Sequence, residues 1–235
     1  MADVFLITCE HGGNRIPAPY RRLFRERRAL LDSHRGHDPG ALVMAGALAG
    51  SFRAPLVTST VSRLLVDLNR SLGHPRVHSA AMRGAPATLR AEIVAHHYRP
   101  YRAQVERFVR RSVARGRRVI HISSHSFTPE LDGKVRRADV GLLYDPKRHG
   151  EAALCARWKA SLAALAPELR VRRNYPYAGK DDGQTSHLRV RFPETAYVGI
   201  ELEVNQGIVA VAGRRWSALR RVLIDSLRVA IKGNS

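Results

Sequence analysis

Apolar and polar positions along the chain change period repeatedly, and the changes mark out strands alternating with helices. Residues 4–8 are a short β-rich apolar run ending in Cys9-Glu10-His11-Gly12-Gly13, which reads as a strand closed by a glycine turn. Residues 17–32 predict a helix opened by prolines and stopped before His34-Arg35-Gly36. Residues 39–49 predict a small-residue helix with Asp38 at its N-cap, where a short acidic side chain satisfies free N–H groups. Residues 55–60 and 64–68 predict strands, and 88–114 a long helix with a break at Pro100, since proline removes a helical hydrogen bond. Residues 118–123 predict a strand ending in Ser124-His125-Ser126, and 140–144 another, closed by Asp145-Pro146. Residues 149–166 predict a helix, 174–187 a polar glycine-rich loop, 196–204 an apolar strand interrupted by Glu201 and Glu203, and 214–232 a closing helix. This alternation predicts an α/β fold with a mixed, mostly parallel sheet and helices on both faces. Active sites of such folds gather at the carboxyl ends of the strands.

Composition narrows the class. The 235 residues are 44% hydrophobic, enough to form a core and too much for a disordered chain. Their number suits a single domain over 1–235. No apolar stretch approaches the roughly 20 residues that span a bilayer. The first nine residues lack the basic and long apolar regions of a secretory signal. Two cysteines, Cys9 and Cys155, support neither a disulfide framework nor a thiolate zinc cluster. A cytoplasmic protein is expected.

The net charge of +20 first suggests a polyanion partner. Only five of the 40 basic residues are lysine. Residues 89–118 hold nine arginines against Glu92 and Glu106, and residues 214–232 hold six basic residues against Asp225. Both stretches are amphipathic: Val105, Phe108, Val109 and Val113 share one helical face, and Leu219, Val222, Leu223, Leu227 and Ile231 share another. Arginine stems on the outer faces explain the charge without a partner. No zinc-finger spacing or RNA-binding aromatic pattern supports nucleic acid.

His11 and His125 follow predicted strands, Glu201 lies within one, and Asp38 precedes a helix. Two imidazoles and a carboxylate are the donor set of a hydrolytic zinc site, with a further carboxylate as proton acceptor. With eleven histidines in the chain, hydrogen-bonded structural histidines are the competing reading. The segment Ser62-Arg63-Leu64-Leu65-Val66-Asp67-Leu68-Asn69-Arg70 carries charge inside an apolar run. It reads either as carboxylate recognition by arginine forks or as a structural Asp–Arg pair.

Together TCEHGGNRIP (8–17), HDPGA (37–41), SRLLVDLNR (62–70), SSHSFTP (123–129), NYPYAGKDDG (174–183) and VGIELEVNQ (198–206) resemble the N-formylglutamate amidohydrolase family. The chain also looks like a remote relative of zinc carboxypeptidases and aspartoacylase-type amidohydrolases. The resemblance implies a carboxypeptidase-like, phosphorylase/hydrolase-like fold and one Zn2+ ion held by His11, His125 and a third ligand. Carboxypeptidases place a glutamate three residues after the first histidine, where this chain has Asn14. Asp38 is the preferred replacement, with Glu10 second. Glu201 would be the general base, and Arg70 with Asn69 would bind the substrate carboxylate.

Arg63 either binds a second substrate carboxylate or pairs with Asp67. Arg189 follows the 174–187 loop and either reaches the pocket or lies exposed. The loop itself is a candidate lid, and Cys9 is expected to be buried. The implied activity is zinc-dependent hydrolysis of an N-formyl or N-acyl amide, with N-formyl-L-glutamate as named substrate and formate and glutamate as products. A small anionic N-acyl amino acid is thus the expected partner, with no membrane and no nucleic acid. The alternatives are a carboxypeptidase-like peptidase and a basic nucleic-acid binder on an inactive hydrolase scaffold.

Overall fold

The computed structural model describes residues 2–211 and 213–233. Its main sheet holds β1 (Asp3–Cys9), β2 (Leu56–Thr58), β3 (Arg118–Phe127), β6 (Val140–Leu143), β7 (Val171–Arg173) and β8 (Tyr197–Asn205); a small hairpin pairs β4 (Glu130–Leu131) with β5 (Lys134–Val135). The sheet order is β2-β1-β3-β8-β6-β7, and every pairing is parallel except β6 with β8. The helices are α1 (Arg28–Asp32), α2 (Ala41–Phe52), α3 (Ala87–Ile93), α4 (Arg99–Ala114), α5 (His149–Leu165), α6 (Gln184–Arg191), α7 (Gln206–Ala210) and α8 (Gly213–Lys232). This is the mixed, mostly parallel α/β architecture expected from the alternation.

Side chains alternate across the strands, so each face of the sheet has its own core. Ile7, Ile120, Ile122, Ile200 and Leu202 pack with Met44 and Leu48 of α2, Trp158 of α5 and Leu223 and Leu227 of α8. Leu6, Val119 and Tyr197 face the other way, against Leu65, Ile93, Val105, Val109 and Leu188. Each buried leucine or isoleucine contributes about 2 kcal/mol of apolar transfer. Towards the carboxyl ends this second face turns polar. Thr8 stands beside Ser123, Ser123 beside Glu201 and His125 beside Glu203. Glu10 follows immediately after β1. The arginine faces lie where the helical periodicity puts them: Arg107, Arg110, Arg111 and Arg115 are exposed while Val105 and Val109 are buried.

Several local expectations are corrected. Residues 17–32 form a 3-10 turn (Ala18–Phe24) and then the short α1; Pro17 and Pro19 stand at the opening of the first turn, where a missing N–H costs nothing. Residues 64–68 are buried but not a strand. Their carbonyls are taken by side chains instead: Ser79 Oγ donates to Leu64 O, His78 Nδ1 lies 2.9 Å from Leu65 O, and Arg102 Nη1 donates to Leu68 O. The long helix does not break at Pro100. A π-helical segment, Val94–Tyr98, precedes α4 and lets Arg99 N–H reach Val94 O, so helical structure runs on through the missing proline donor. The last four residues of the 174–187 stretch form the first turn of α6. Asp38 does not cap α2; Gly40 does, at φ 79. A side chain there would strike Val209, and a left-handed turn is what glycine permits.

Candidate metal and substrate site

Gly40's turn frees the Asp38 side chain to point at two imidazoles. Asp38 N–H bonds His11 O at 2.9 Å, which ties the HDPG turn to the end of β1. Asp38 Oδ2 then lies 2.9 Å from His125 Nδ1 and 3.3 Å from His11 Nδ1. All three side chains are buried, and the three ligand atoms lie within 4.8 Å of one another.

The far nitrogens are held from behind. His11 Nε2 is 2.7 Å from Asp67 Oδ1, so Nε2–H donates. Ser123 Oγ donates to Glu10 Oε2 at 2.8 Å and therefore accepts from His125 Nε2–H at 2.9 Å. Burial works against charge on both rings, but Asp38 with Glu10 at His125, and Asp67 with Asp38 at His11, raise both imidazoles above their ordinary value, so each Nδ1–H donates to Asp38; an ion replacing those protons would take the two Nδ1 lone pairs. A carboxylate behind each ligating imidazole is the arrangement that fixes ring and tautomer in metal sites. Two imidazole nitrogens and one carboxylate oxygen, converging in a buried corner of a larger cavity, fit a divalent ion of the zinc class with an open position.

Glu10, the second candidate for third ligand, lies at the opposite edge of His125 from Asp38, 3.4 Å from Nε2. Its oxygens accept from Thr8 and Ser123. Burial pushes its carboxyl up, but His125, His121 and Ser123 outweigh this and hold it down to about 2. Behind it His121 is locked between Thr8 Oγ1 at 2.8 Å and Tyr197 Oη at 2.7 Å. Burial keeps that ring neutral, lowering its pKa to about 4. Asp38 and Asp67 are also buried, and the imidazoles and Arg63 hold both well below the usual carboxylate range.

Glu201, Arg70, Asn69 and Arg63 all line the same cavity as His11, Asp38 and His125. Glu201 Oε1 accepts from Thr185 Oγ1 at 2.7 Å. Gly183 fits between Asn69 and Glu201, where a Cβ would come within 3.2 Å of both side-chain oxygens. Asn69 Oδ1 accepts from Gln184 N–H at 2.7 Å, which leaves its NH2 group without a protein acceptor among the described residues. Arg70 Nη1 donates to Asp182 O at 2.9 Å. Arg63 pairs with Asp67 through Nη2 at 2.7 Å and Nε at 3.2 Å, and reaches Asp38 at 3.5 Å. The Asp67 pairing of Arg63 is therefore present in the structure.

Arg189 is corrected: it is neither exposed nor in the cavity. Its guanidinium donates to Glu151 at 3.0 Å and to Gly199 O at 2.8 Å, buried between α5, α6 and β8. The 174–183 segment is tied down by Asn174, which accepts from Tyr144 N–H and Gly179 N–H. Cys9 and Cys155 are buried and free, and burial pushes both thiols up.

Glu203 was not singled out by motif reasoning. It is buried, lines the cavity, and its Oε2 has no hydrogen-bond partner among the described residues. Burial, with Asp38 and Glu201 nearby, pushes its carboxyl up to about 8. The period-2 alternation of β8, which puts Glu203 on the face of Glu201, is the signal that would have found it. The same alternation in β3 would have joined His121 and Ser123 to His125.

Among solved structures, a gene product (Atu2144) of Agrobacterium tumefaciens overlaps with a TM-score of 0.84 at 28% identity, over 97% of this chain and 90% of that one. An N-formylglutamate amidohydrolase from Ralstonia eutropha JMP134 overlaps with a TM-score of 0.71 at 19% identity, over 98% of this chain and 94% of that one. No curated protein sequence matches. The sequence profile of the N-formylglutamate amidohydrolases matches residues 4–210. That span contains every side chain of the cluster and its cavity, and the chain belongs to the N-formylglutamate amidohydrolase family.

Proposed function

We propose that the protein is a zinc-dependent amidohydrolase that cleaves the amide of an N-formyl or N-acyl amino acid, with N-formyl-L-glutamate giving formate and glutamate. The observation that carries this reading is the convergence of His11, His125 and Asp38, with their ligand atoms within 4.8 Å of one another, in a cavity that also holds Glu201, Asn69 and Arg70. His11, His125 and Asp38 would hold one ion, which when bound polarises a carbonyl and makes water acidic near neutral pH.

The chain's own groups do the rest. Glu201 Oε2, with no protein hydrogen bond among the described residues, takes the proton of the attacking water and delivers it to the leaving nitrogen. Thr185 holds the other oxygen and so fixes the carboxylate plane. The remaining N–H groups of Arg70 and the Asn69 NH2 group bind the substrate carboxylate, arginine by its two-pronged fork. Arg63 fixes Asp67, which in turn orients His11. The cytoplasm is the proposed setting, and a small anionic substrate the partner.

The test is metal analysis of the purified protein together with formate and amine release from a panel of N-formyl and N-acyl amino acids. One ion per chain and hydrolysis of an acidic N-formyl amino acid are expected, with His125→Ala losing both. Full metal content and full activity in His125→Ala, or no hydrolysis of any panel member by zinc-loaded protein, would overturn the reading.

A further inference from the structure

The cavity is larger and more basic than a formyl amino acid requires. Its volume is about 860 Å3, near the upper end of the roughly 300–1,000 Å3 of sites for drug-sized ligands. N-formylglutamate has about a dozen non-hydrogen atoms. Even at about 30 Å3 for each, a water's share of the liquid, it fills less than half the space.

The unfilled part has a chemistry of its own. Arg76 and Arg83, which flank the 3-10 turn Ala80–Met82, and Arg90 of α3 line the cavity, and their guanidinium groups have no protein partner among the described residues. The cavity's carboxylates are mostly engaged elsewhere. Asp38 and Asp67 face the imidazoles and Arg63, Asp182 accepts from Ser71 N–H, and Glu201 accepts from Thr185. Glu203 stands beside His125 in the sheet, and Asp181 adjoins Asp182. Three unpaired arginines on the wall of one concavity differ from the same residues on an open helix face. Three like charges on one concave surface sum to a local positive potential that favours an anion, even with Arg76 and Arg83 exposed and Arg90 half-buried.

We infer that Arg76, Arg83 and Arg90 form a second anion subsite, and that the preferred substrate is an N-acyl acidic amino acid carrying at least one further carboxylate beyond those of N-formylglutamate. The inference rests on the amidohydrolase reading for the scissile amide but not for the binding of the extension.

The experiment uses zinc-loaded protein and three probes: N-formylglutamate, N-formylglutamylglutamate with its extension on the amine side, and N-succinylglutamate with its extension on the acyl side. Dissociation constants are measured by calorimetry on Glu201→Gln, and kcat/KM on the wild type. At low salt one extended probe should bind about tenfold tighter than N-formylglutamate, the scale of one charge-assisted hydrogen bond. The probe that gains shows on which side of the amide the subsite lies. In Arg83→Gln/Arg90→Gln that ratio should fall towards one, and it should also shrink with added salt. Equal or weaker binding of both extended probes, or a ratio unchanged in the double variant, overturns the subsite. Retained binding preference with no turnover of any probe supports the subsite while sinking the amidohydrolase reading.

Discussion

The two nitrogens of His125 have opposite surroundings: Asp38 at Nδ1, Ser123 and Glu10 at Nε2. Glu10 is thus a positioning group for the proposed metal site, and Glu10→Gln should weaken metal affinity by about 10- to 100-fold. Competition with a chromogenic chelator measures this, and an unchanged dissociation constant would remove Glu10 from the site. Its titration gives an independent expectation for the metal-free protein. A carboxyl held at about 2 in the fold, against an ordinary value of 4.5, binds fewer protons folded than unfolded. Its stabilisation is therefore present above pH 4.5 and lost as pH falls towards 2. Glu203 has the opposite sign, since its carboxyl is raised to about 8. The folded state keeps a proton that the unfolded chain releases, so its contribution is lost as pH rises from 4.5 to 8. In thermal melts of metal-free protein, Glu203→Gln should decline less than wild type over that window. Parallel curves would show that Glu203 does not hold a proton in the folded state over that window.

At the scale of elements, the active face depends on ties between pieces distant in sequence. Arg189 of α6 reaches Glu151 of α5, and Glu151 Oε1 accepts from Gly199 N–H of β8, two residues before Glu201. Without Arg189, Glu151 keeps Arg148 at 3.3 Å and the N–H groups of Asp145 and Gly199, so Arg189→Ala should cost about 1–3 kcal/mol in chemical denaturation, the scale of lost hydrogen bonds to a charged group. Its KM on the folded fraction should stay near wild type, because Arg189 lies outside the cavity; a selective rise in KM would return it to substrate binding. The π-helical segment before Pro100 and the irregular 64–68 segment are the elements that periodicity misread. Both are sites where side chains or a widened turn satisfy backbone groups in place of a regular ladder. A short buried apolar run carries no period by which a strand can be told from such a segment.

For the whole molecule, the +20 charge is distributed in two ways. Most arginines of α4 and α8 stand on outer faces with their helices packed on the two cores. Arg63 and Arg70, with Arg76, Arg83 and Arg90, line the cavity. Long-range attraction of an anionic substrate is screened within about 10 Å at 0.1 M salt. The KM for N-formylglutamate should accordingly rise with ionic strength while kcat holds, in steady-state kinetics over a salt series. A salt-independent KM would confine the charge to the solvated helix faces.

The α/β alternation, the amphipathic faces of α4 and α8, and the identity of His11, Asp38 and His125 as a candidate ligand set were legible in the chain, whereas β7, the β4–β5 hairpin, α6 and α7 were not. Periodicity and residue chemistry are local, and motif spacing survives in one dimension. The tertiary structure alone decided that Glu10 stands behind His125 rather than beside Asp38, that Asp67 holds His11, and that Arg189 belongs to a buried pair. It also decided that Glu203 faces the cavity without a partner for its Oε2 among the described residues. Each of these depends on which strand lies beside which and in what register. That is set by the packing of both faces of the sheet against helices far away in sequence, and no stretch of the chain encodes it on its own.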